Sequence, residues 1–299
     1  MTSDSRVKDV DENHQSQYEY LKGTLSDREL DEAVALLKAV WPKAGFTFDY
    51  LDWLYRGNPV GPAETENAWD NGRIVGHYAA IPINATLFDK TEKGVFSLNT
   101  ATHPSYRGKG FFKALASKTF ENARASGATF VIGVANANST LLFRRQLRFQ
   151  LVTPLTVKLG LGAVRRIQKR PRHTDYTRVW DDPTLQWRLK RPNTKYVEVS
   201  RGTSTIILGD TDRYGIWTVM LDAEFARGTL APKTGFRWNP FTLWIGLDPE
   251  CDWTQSHYID LPDFLKPSPL NLIFKDLSGL DRTLDPSKVT LSLLDFDAY

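Results

Sequence analysis

Residues 103–115 read HPSYRGKGFFKAL, and the fold turns on how they are read. Arg107, Gly108, Lys109 and Gly110 follow a strand-like run that stops at Pro104. After them Phe112, Leu115, Ala116, Thr119, Phe120 and Ala123 recur at helical spacing until Gly127, which stands where a C-terminal cap belongs. The order is strand, glycine loop, helix. Glycines in such a loop let the backbone approach a ligand closely, and the free N–H groups at the helix start, with the positive end of its dipole, favour phosphate. Arg107 and Lys109 add mobile cations. The physical expectation is a pyrophosphate cradle, although the run is neither a Walker loop nor a Gly-x-Gly-x-x-Gly turn.

Working outward, GVFSLNTATHP supplies the strand before the loop and TFVIGVA, residues 129–135, the strand after its helix. Upstream, AWDNGRIVGHYAAIP places Asn71-Gly72 between two strand-like runs, a signal for a tight hairpin. Further upstream, Ser26 is positioned to cap a helix with Glu29 three residues later. Leu30, Ala33, Leu36, Leu37 and Val40 form its apolar stripe, and Pro42 stops it. Downstream, NANSTLLFRRQLRF fits a short helix leading into one strand, FQLVTPLTVKL. This alternation predicts an α/β fold, a mixed sheet flanked by helices. Residues 1–23 are polar and lack periodic apolar positions, so a loose arm is expected there.

Bulk properties narrow the function. With 41% hydrophobic and 24% charged residues among 299, the chain reads as globular, and a net charge of +3 is too small to argue for nucleic acid. No apolar run is long enough to span a bilayer and no charged, apolar leader is evident, so no membrane is expected and cytoplasm is the expected location. The single cysteine, Cys251, rules out an internal disulfide and a cysteine-rich metal site, and no metal is expected.

HPSYRGKGFFKAL resembles the coenzyme A loop of the GNAT superfamily of acyl-CoA N-acyltransferases, Gln/Arg-x-x-Gly-x-Gly/Ala. Arg107 and Gly110 hold the first two fixed places, and Phe112 departs at the third, as in several lineages that include sugar N-acyltransferases. The superfamily's Asn-led helix ending in Gly-Phe is similar to NANSTLLFRRQLRF, with Asn136, Asn138, Ser139 and Phe149 in matching places and Arg148 in the glycine place. Together these cover roughly residues 70 to 155.

The resemblance implies a chemistry. Acetyl-CoA or another short acyl-CoA, the co-substrate, would lay its pyrophosphate on the amides of Arg107, Gly108, Lys109, Gly110, Phe111 and Phe112. Its pantetheine arm would pair with backbone at Asn99, Thr100, Ala101 and Thr102, near Asn136 and Asn138. A primary amine would attack the thioester directly, with the oxyanion held by a backbone N–H. The superfamily's thiolate-protonating tyrosine, six residues after the helix-leading asparagine, is replaced by Arg144, counting from Asn138. For the base, His77 on the hairpin strand and His103 at the end of the pantetheine strand are candidates, with Asp222 and Glu224 as alternatives should the second half close over the site. The expected acceptor is a small amine, most plausibly a nucleotide-linked amino sugar. Non-catalytic acyl-CoA binding and peptide or protein N-acylation stand as alternatives, and a homodimer is compatible with the reading.

The second half echoes the first. DYLDWLYRGNP is answered by DPTLQWRLKRP, aligning Trp53 with Trp187; GRIVGHY is answered by TSTIILG, and TFVIG by TLWIG at 242–246. We therefore expect a tandem duplication: a GNAT acyl-CoA-binding domain over 24–160, a basic linker over 161–180, and a degenerate GNAT-like substrate domain over 181–299. No Arg-Gly-Lys-Gly recurs in the second half, so one coenzyme A site per chain is expected. Trp187, Tyr214 and Trp217 are candidates for lining the acceptor pocket.

Overall fold

The structure, a computed structural model, describes residues 18–162, 164–167, 173–201, 204–210, 216–223, 240–261 and 270–296. The chain opens with a short strand, β1 (Glu19–Lys22), inside the stretch expected to be a loose arm. Its side chains are mostly exposed and backbone pairing to the next strand holds it, so hydrophobic periodicity carries no trace of it. Ser26 caps α1 (Asp27–Val40), its Oγ accepting the Glu29 N–H, and Thr47 caps α2 (Phe48–Tyr55). Glu29 does not close a capping box with Ser26; its carboxylate takes the Thr24 N–H and hydroxyl instead. β2 (Glu64–Asp70) turns through Asn71 and Gly72, at φ 48° and 75°, into β3 (Arg73–Leu87). That double left-handed turn matches the twist of the paired strands.

β4 (Lys90–Thr102) runs back along β3 and leads through the glycine loop into α3 (Phe111–Ala125), after which Gly127, at φ 89°, ends the helical path. β5 (Phe130–Ala135) and α4 (Ala137–Leu147) follow. The run expected to be one strand is two, β6 (Gln150–Pro154) and β7 (Thr156–Leu161), broken at Leu155 and entering different sheets. Beyond lie β8 (Arg165–Arg166), β9 (Tyr176–Arg178), α5 (Asp182–Leu189), β10 (Tyr196–Arg201), β11 (Ser204–Asp210), β12 (Trp217–Ala223) and β13 (Phe241–Gly246). The last strands are β14 (Cys251–Asp252), β15 (Tyr258–Asp260), β16 (Asn271–Asp276) and β17 (Val289–Thr290).

The first sheet has the order β1-β2-β3-β4-β5-β16-β6, and the second β10-β11-β12-β13-β7-β15. From β2 onward the two match place for place. In each, the third and fourth matched strands run parallel while the other neighbours are antiparallel. The fifth place in each sheet is filled from the other half of the chain: β16 enters the first and β7 the second. The two units thus exchange a strand reciprocally. A second mark of symmetry joins them, because the rings of Trp53 and Trp187 stack 5.0 Å apart and each indole N–H donates to the other residue's carbonyl at 2.9 Å.

The expected linear division is therefore corrected in two places. Residues 161–180 do more than link, since β9 pairs with β3 and β17, and the second half does not stand alone, since β16 completes the first sheet. α1 and α2 cover one face of the first sheet through Leu30, Leu37, Leu51 and Tyr55, packed on Ile81 and Ala101. α3 and α4 cover the other through Phe111, Leu115, Phe120 and Phe143, packed on Tyr78, Val95 and Val131. A further core joins the two sheets, bringing Phe96, Phe130, Ile132 and Phe274 of the first against Val157, Met220 and Ile245 of the second. Arg282 pins β16, bonding Asp276 at its end, Glu92 on β4 and the carbonyl of Thr129 just before β5.

Candidate active site

Two features of the first sheet meet at one edge. β4 and β5 pair in parallel from Val95 opposite Val131 to Ser97 opposite Gly133, and there the pairing stops. A Cβ on Gly133 would stand 3.2 Å from the Ser97 carbonyl, so this residue type permits the close approach at the vertex. Beyond it, β4 continues through Leu98–Thr102 and β5 through Val134–Ala135 without bonding to each other, and a cleft opens. At this point β4 bulges: Asn99 and Thr100 together oppose the single residue Tyr78 on β3. Asn99 has φ 48°, a left-handed conformation that asparagine tolerates better than most residues.

The strand then delivers the chain to the glycine loop. His103 caps a 3-10 turn at Pro104–Tyr106, its Nδ1 accepting the Ser105 N–H. Gly108 and Gly110 lie at φ 81° and 80°, with no atom within 4 Å of where a side chain would begin. Gly110 is the N-cap of α3 and has no side chain to take the first amides of this 15-residue helix. Phe111 is buried against Tyr18 and Tyr20, and Phe112 packs edge-on to Phe143 of α4, so these two rings fix the start of the helix. The bulky residue in the motif's third small place thus fills the α3–α4 seam. Arg107 is exposed beside the loop. Lys109 departs from the expected mobile cation: its ammonium bonds the Tyr18 hydroxyl and lies over the Tyr18 and Tyr106 rings, at 4.9 and 5.3 Å.

Asn136 caps α4, its Oδ1 accepting the Ser139 N–H at 2.9 Å, and Asn138 is exposed in the first turn. Arg148 ends α4 at φ 57°, so the place where the resemblance puts glycine keeps the left-handed conformation with a different residue. Arg144 is exposed on the same helix.

The expectation that His77 faces the cleft is corrected. The ring is 2% exposed, its Nδ1–H donates to Asn67 Oδ1 at 2.7 Å, and its Nε2 accepts from the Tyr55 hydroxyl at 2.9 Å. Burial lowers its pKa to about 4, so it is neutral at physiological pH. The Tyr55 hydroxyl in turn accepts from Asn99 Nδ2 at 3.1 Å. His103 stands four residues past Asn99, about 13 Å along an extended strand, at the glycine-loop end of the cleft. There it borders a cavity of about 340 Å³ with Glu32, Arg73 and Tyr106, away from the bulge. Glu224 and Tyr214 lie outside the described residues, and of Asp222 only the backbone on β12 is described. Trp187, stacked on Trp53, is buried in the core, and Trp217 packs with Val219 and Trp244 inside the second unit. Tyr55, Asn67, Tyr78 and Ser97 carry no sequence signal, because each sits in a pattern that reads as ordinary core.

In the second sheet the corresponding opening is filled. Parallel pairing ends at Val219 opposite Trp244, and just past β13 Leu247 exchanges two backbone bonds with Leu291 at 2.8 Å. Leu291, Leu293, Leu294 and Phe296 then pack in one cluster with Met220 and Leu221. Arg188 holds this tail through the carbonyls of Leu294 and Phe296, and Arg178 through that of Asp295.

A parallel strand pair that splays apart thus leads to a helix whose N-cap, Gly110, brings no side chain to the first amides. Residues 23–145 match the acetyltransferase (GNAT) domain family. Among solved structures the chain is similar to a probable N-acyltransferase from Enterococcus faecalis V583, with 11% identity, a TM-score of 0.61, and 87% of this chain and 73% of that one covered. It is similar to a GCN5-related N-acetyltransferase from Kribbella flavida, again with 11% identity and a TM-score of 0.61, over 88% of this chain and 72% of that one. A tandem GNAT protein from the clavulanic acid biosynthesis pathway aligns at 10% identity with a TM-score of 0.52, over 87% of this chain and 98% of that one. Identities this low speak to the fold. No curated protein matches the chain in sequence. The chain has a GNAT-like mixed α/β fold, and its similarity to the acetyltransferase domain lies within residues 23–145. No helix among the described residues is long and apolar enough to cross a membrane, and no group of three metal-ligating side chains occurs among them.

Proposed function

We propose that the protein transfers an acetyl or other short acyl group from acyl-CoA to the primary amine of a small molecule, using one site per chain. The observation that carries this is the continuity of the β4–β5 cleft with the open glycine loop at the start of α3. The pyrophosphate lies on the amides of residues 107–112, where the helix dipole and Arg107 favour negative charge. Pantetheine extends along Asn99–Thr102, whose backbone lacks a β5 partner, and the thioester comes to rest at the bulge. The amine adds to the thioester carbon, a backbone N–H of the bulge holds the oxygen as it gains charge, and the C–S bond breaks to release coenzyme A as thiolate. Neither histidine is placed to take the ammonium proton directly, so it leaves through water in the cleft. With Arg144 exposed on α4 in the tyrosine place, the thiolate departs without a side-chain acid from that position.

A nucleotide-linked amino sugar is the acceptor class to test first, supported by the loop's resemblance to sugar-acylating lineages. The burial of Trp187 removes one of the aromatics expected to line its pocket. Thiol release from acetyl-CoA, followed with panels of amino sugars, other small amines and peptides, tests the reading. We expect turnover with small amines; turnover confined to peptides, or none with any amine, would contradict it.

A further inference from the structure

We infer that Tyr55 and Tyr78 act as positioning residues that clamp the β4 bulge from opposite faces of the sheet and hold its N–H groups on the acyl carbonyl. The inference rests on the function proposed above.

Tyr55 descends from α2 and Tyr78 faces α3, and both are fully enclosed, at 1% and 0% exposure. On the α2 face, the Tyr55 hydroxyl accepts from Asn99 Nδ2 and gives its proton to His77 Nε2. His77 then gives its Nδ1 proton to Asn67, whose amide oxygen fixes the tautomer. The bonds therefore run in one direction from Asn99 to Asn67, every donor matched to an acceptor. On the α3 face, the Tyr78 hydroxyl bonds Ser97 Oγ at 2.6 Å and the Thr100 side chain. The two bulge residues are thus tied to two tyrosines on opposite sides, one residue each. Burial drives both phenols well above their usual range, so they stay protonated and serve as hydrogen-bonding struts rather than as acids.

A strut of this kind has a purpose at Asn99. Its left-handed backbone is unfavourable for most residues, and it is the local feature that turns consecutive peptide groups out of the strand's regular alternation. Holding it without movement is what an oxyanion donor requires, since displacement by about 1 Å costs roughly 10²-fold in rate.

The test uses the full-length chain and [1-¹³C]acetyl-CoA, and reads the infrared stretch of the bound thioester carbonyl together with the dissociation constant. In the parent protein the stretch should fall below that of free acetyl-CoA, reporting polarisation by the bulge. Tyr55→Phe and Asn99→Ala should return it toward the free value, and the dissociation constant of Tyr55→Phe, whose ring lies off the cofactor path, should stay near that of the parent because the phosphate loop is untouched. Asn99→Gly is the discriminating variant: it keeps left-handed freedom without the side chain, so it should retain more of the shift than Asn99→Ala. Thermal unfolding identifies any variant that is not folded, in which case Tyr78→Phe replaces it as the probe of the same bulge. A shift that survives in Tyr55→Phe, or that Asn99→Gly keeps in full, overturns the inference. Failure of the parent to bind acetyl-CoA overturns the proposed function and the inference with it.

Discussion

His77 shows how burial changes what a titratable residue can do. On the strand pattern alone it was a candidate base, because nothing in IVGHYAAIP tells whether position 77 meets solvent or Tyr55 of α2. The structure gives it two neutral partners and a folded pKa of about 4. Above the unfolded value near 6.5 both states are neutral and the full stabilising contribution of the buried ring is present. As pH falls from about 6.5 towards 4, only the unfolded chain takes up the proton and that contribution is lost, by roughly 2 kcal/mol between pH 7 and pH 5. His77→Gln, which cannot titrate, should lose less stability than the parent over that interval in urea denaturation. Equal losses would show that His77 is not buried neutral. The same shift places its titration below the pH 6–9 range of an acyltransferase assay, so the rate there should follow the acceptor amine's ionisation.

At the scale of elements, loop and helix signals in the sequence carried well, because caps and turns are local. The hairpin at Asn71-Gly72, the start of α1 at Ser26 and the order strand, loop, helix around Gly110 all depend on residues within a few positions of one another. What escaped depends on distant partners. FQLVTPLTVKL reads as one strand, but Leu155 divides it between two sheets, and only the pairing partners β16 and β13 reveal this. The end of α4 lies between these cases. The superfamily pattern calls for glycine there, and Arg148 holds the same left-handed shape at φ 57°. Arg148→Gly should therefore raise stability by about 0.5–1 kcal/mol by relieving backbone strain, measured by chemical denaturation. A loss of stability would mean that the arginine side chain contributes more than its backbone costs.

At the scale of the whole molecule, the sequence echoes between the halves anticipated the repeated sheet order, and the stacked Trp53–Trp187 pair joins two of the aligned positions. The strand exchange could not be read, since it concerns which sheet β7 and β16 enter rather than what either strand is. It has a direct consequence for dissection. A fragment of residues 1–177 lacks β16, whose Leu272, Ile273 and Phe274 are at most 1% exposed between β5 and β6. The fragment would leave apolar strand edges open and should show no cooperative thermal transition by circular dichroism. A cooperative transition would show that the first unit folds without its exchanged strand.

The exchange and the filled second opening together imply one acyl-CoA site per chain, on the loop at Gly110. Isothermal titration with acetyl-CoA tests it directly. The expected result is one equivalent bound per chain, with affinity weakened roughly 10- to 100-fold in Gly110→Asp, where a left-handed position must accept a side chain and phosphate meets a carboxylate. Two equivalents per chain, or undiminished binding by Gly110→Asp, would contradict it.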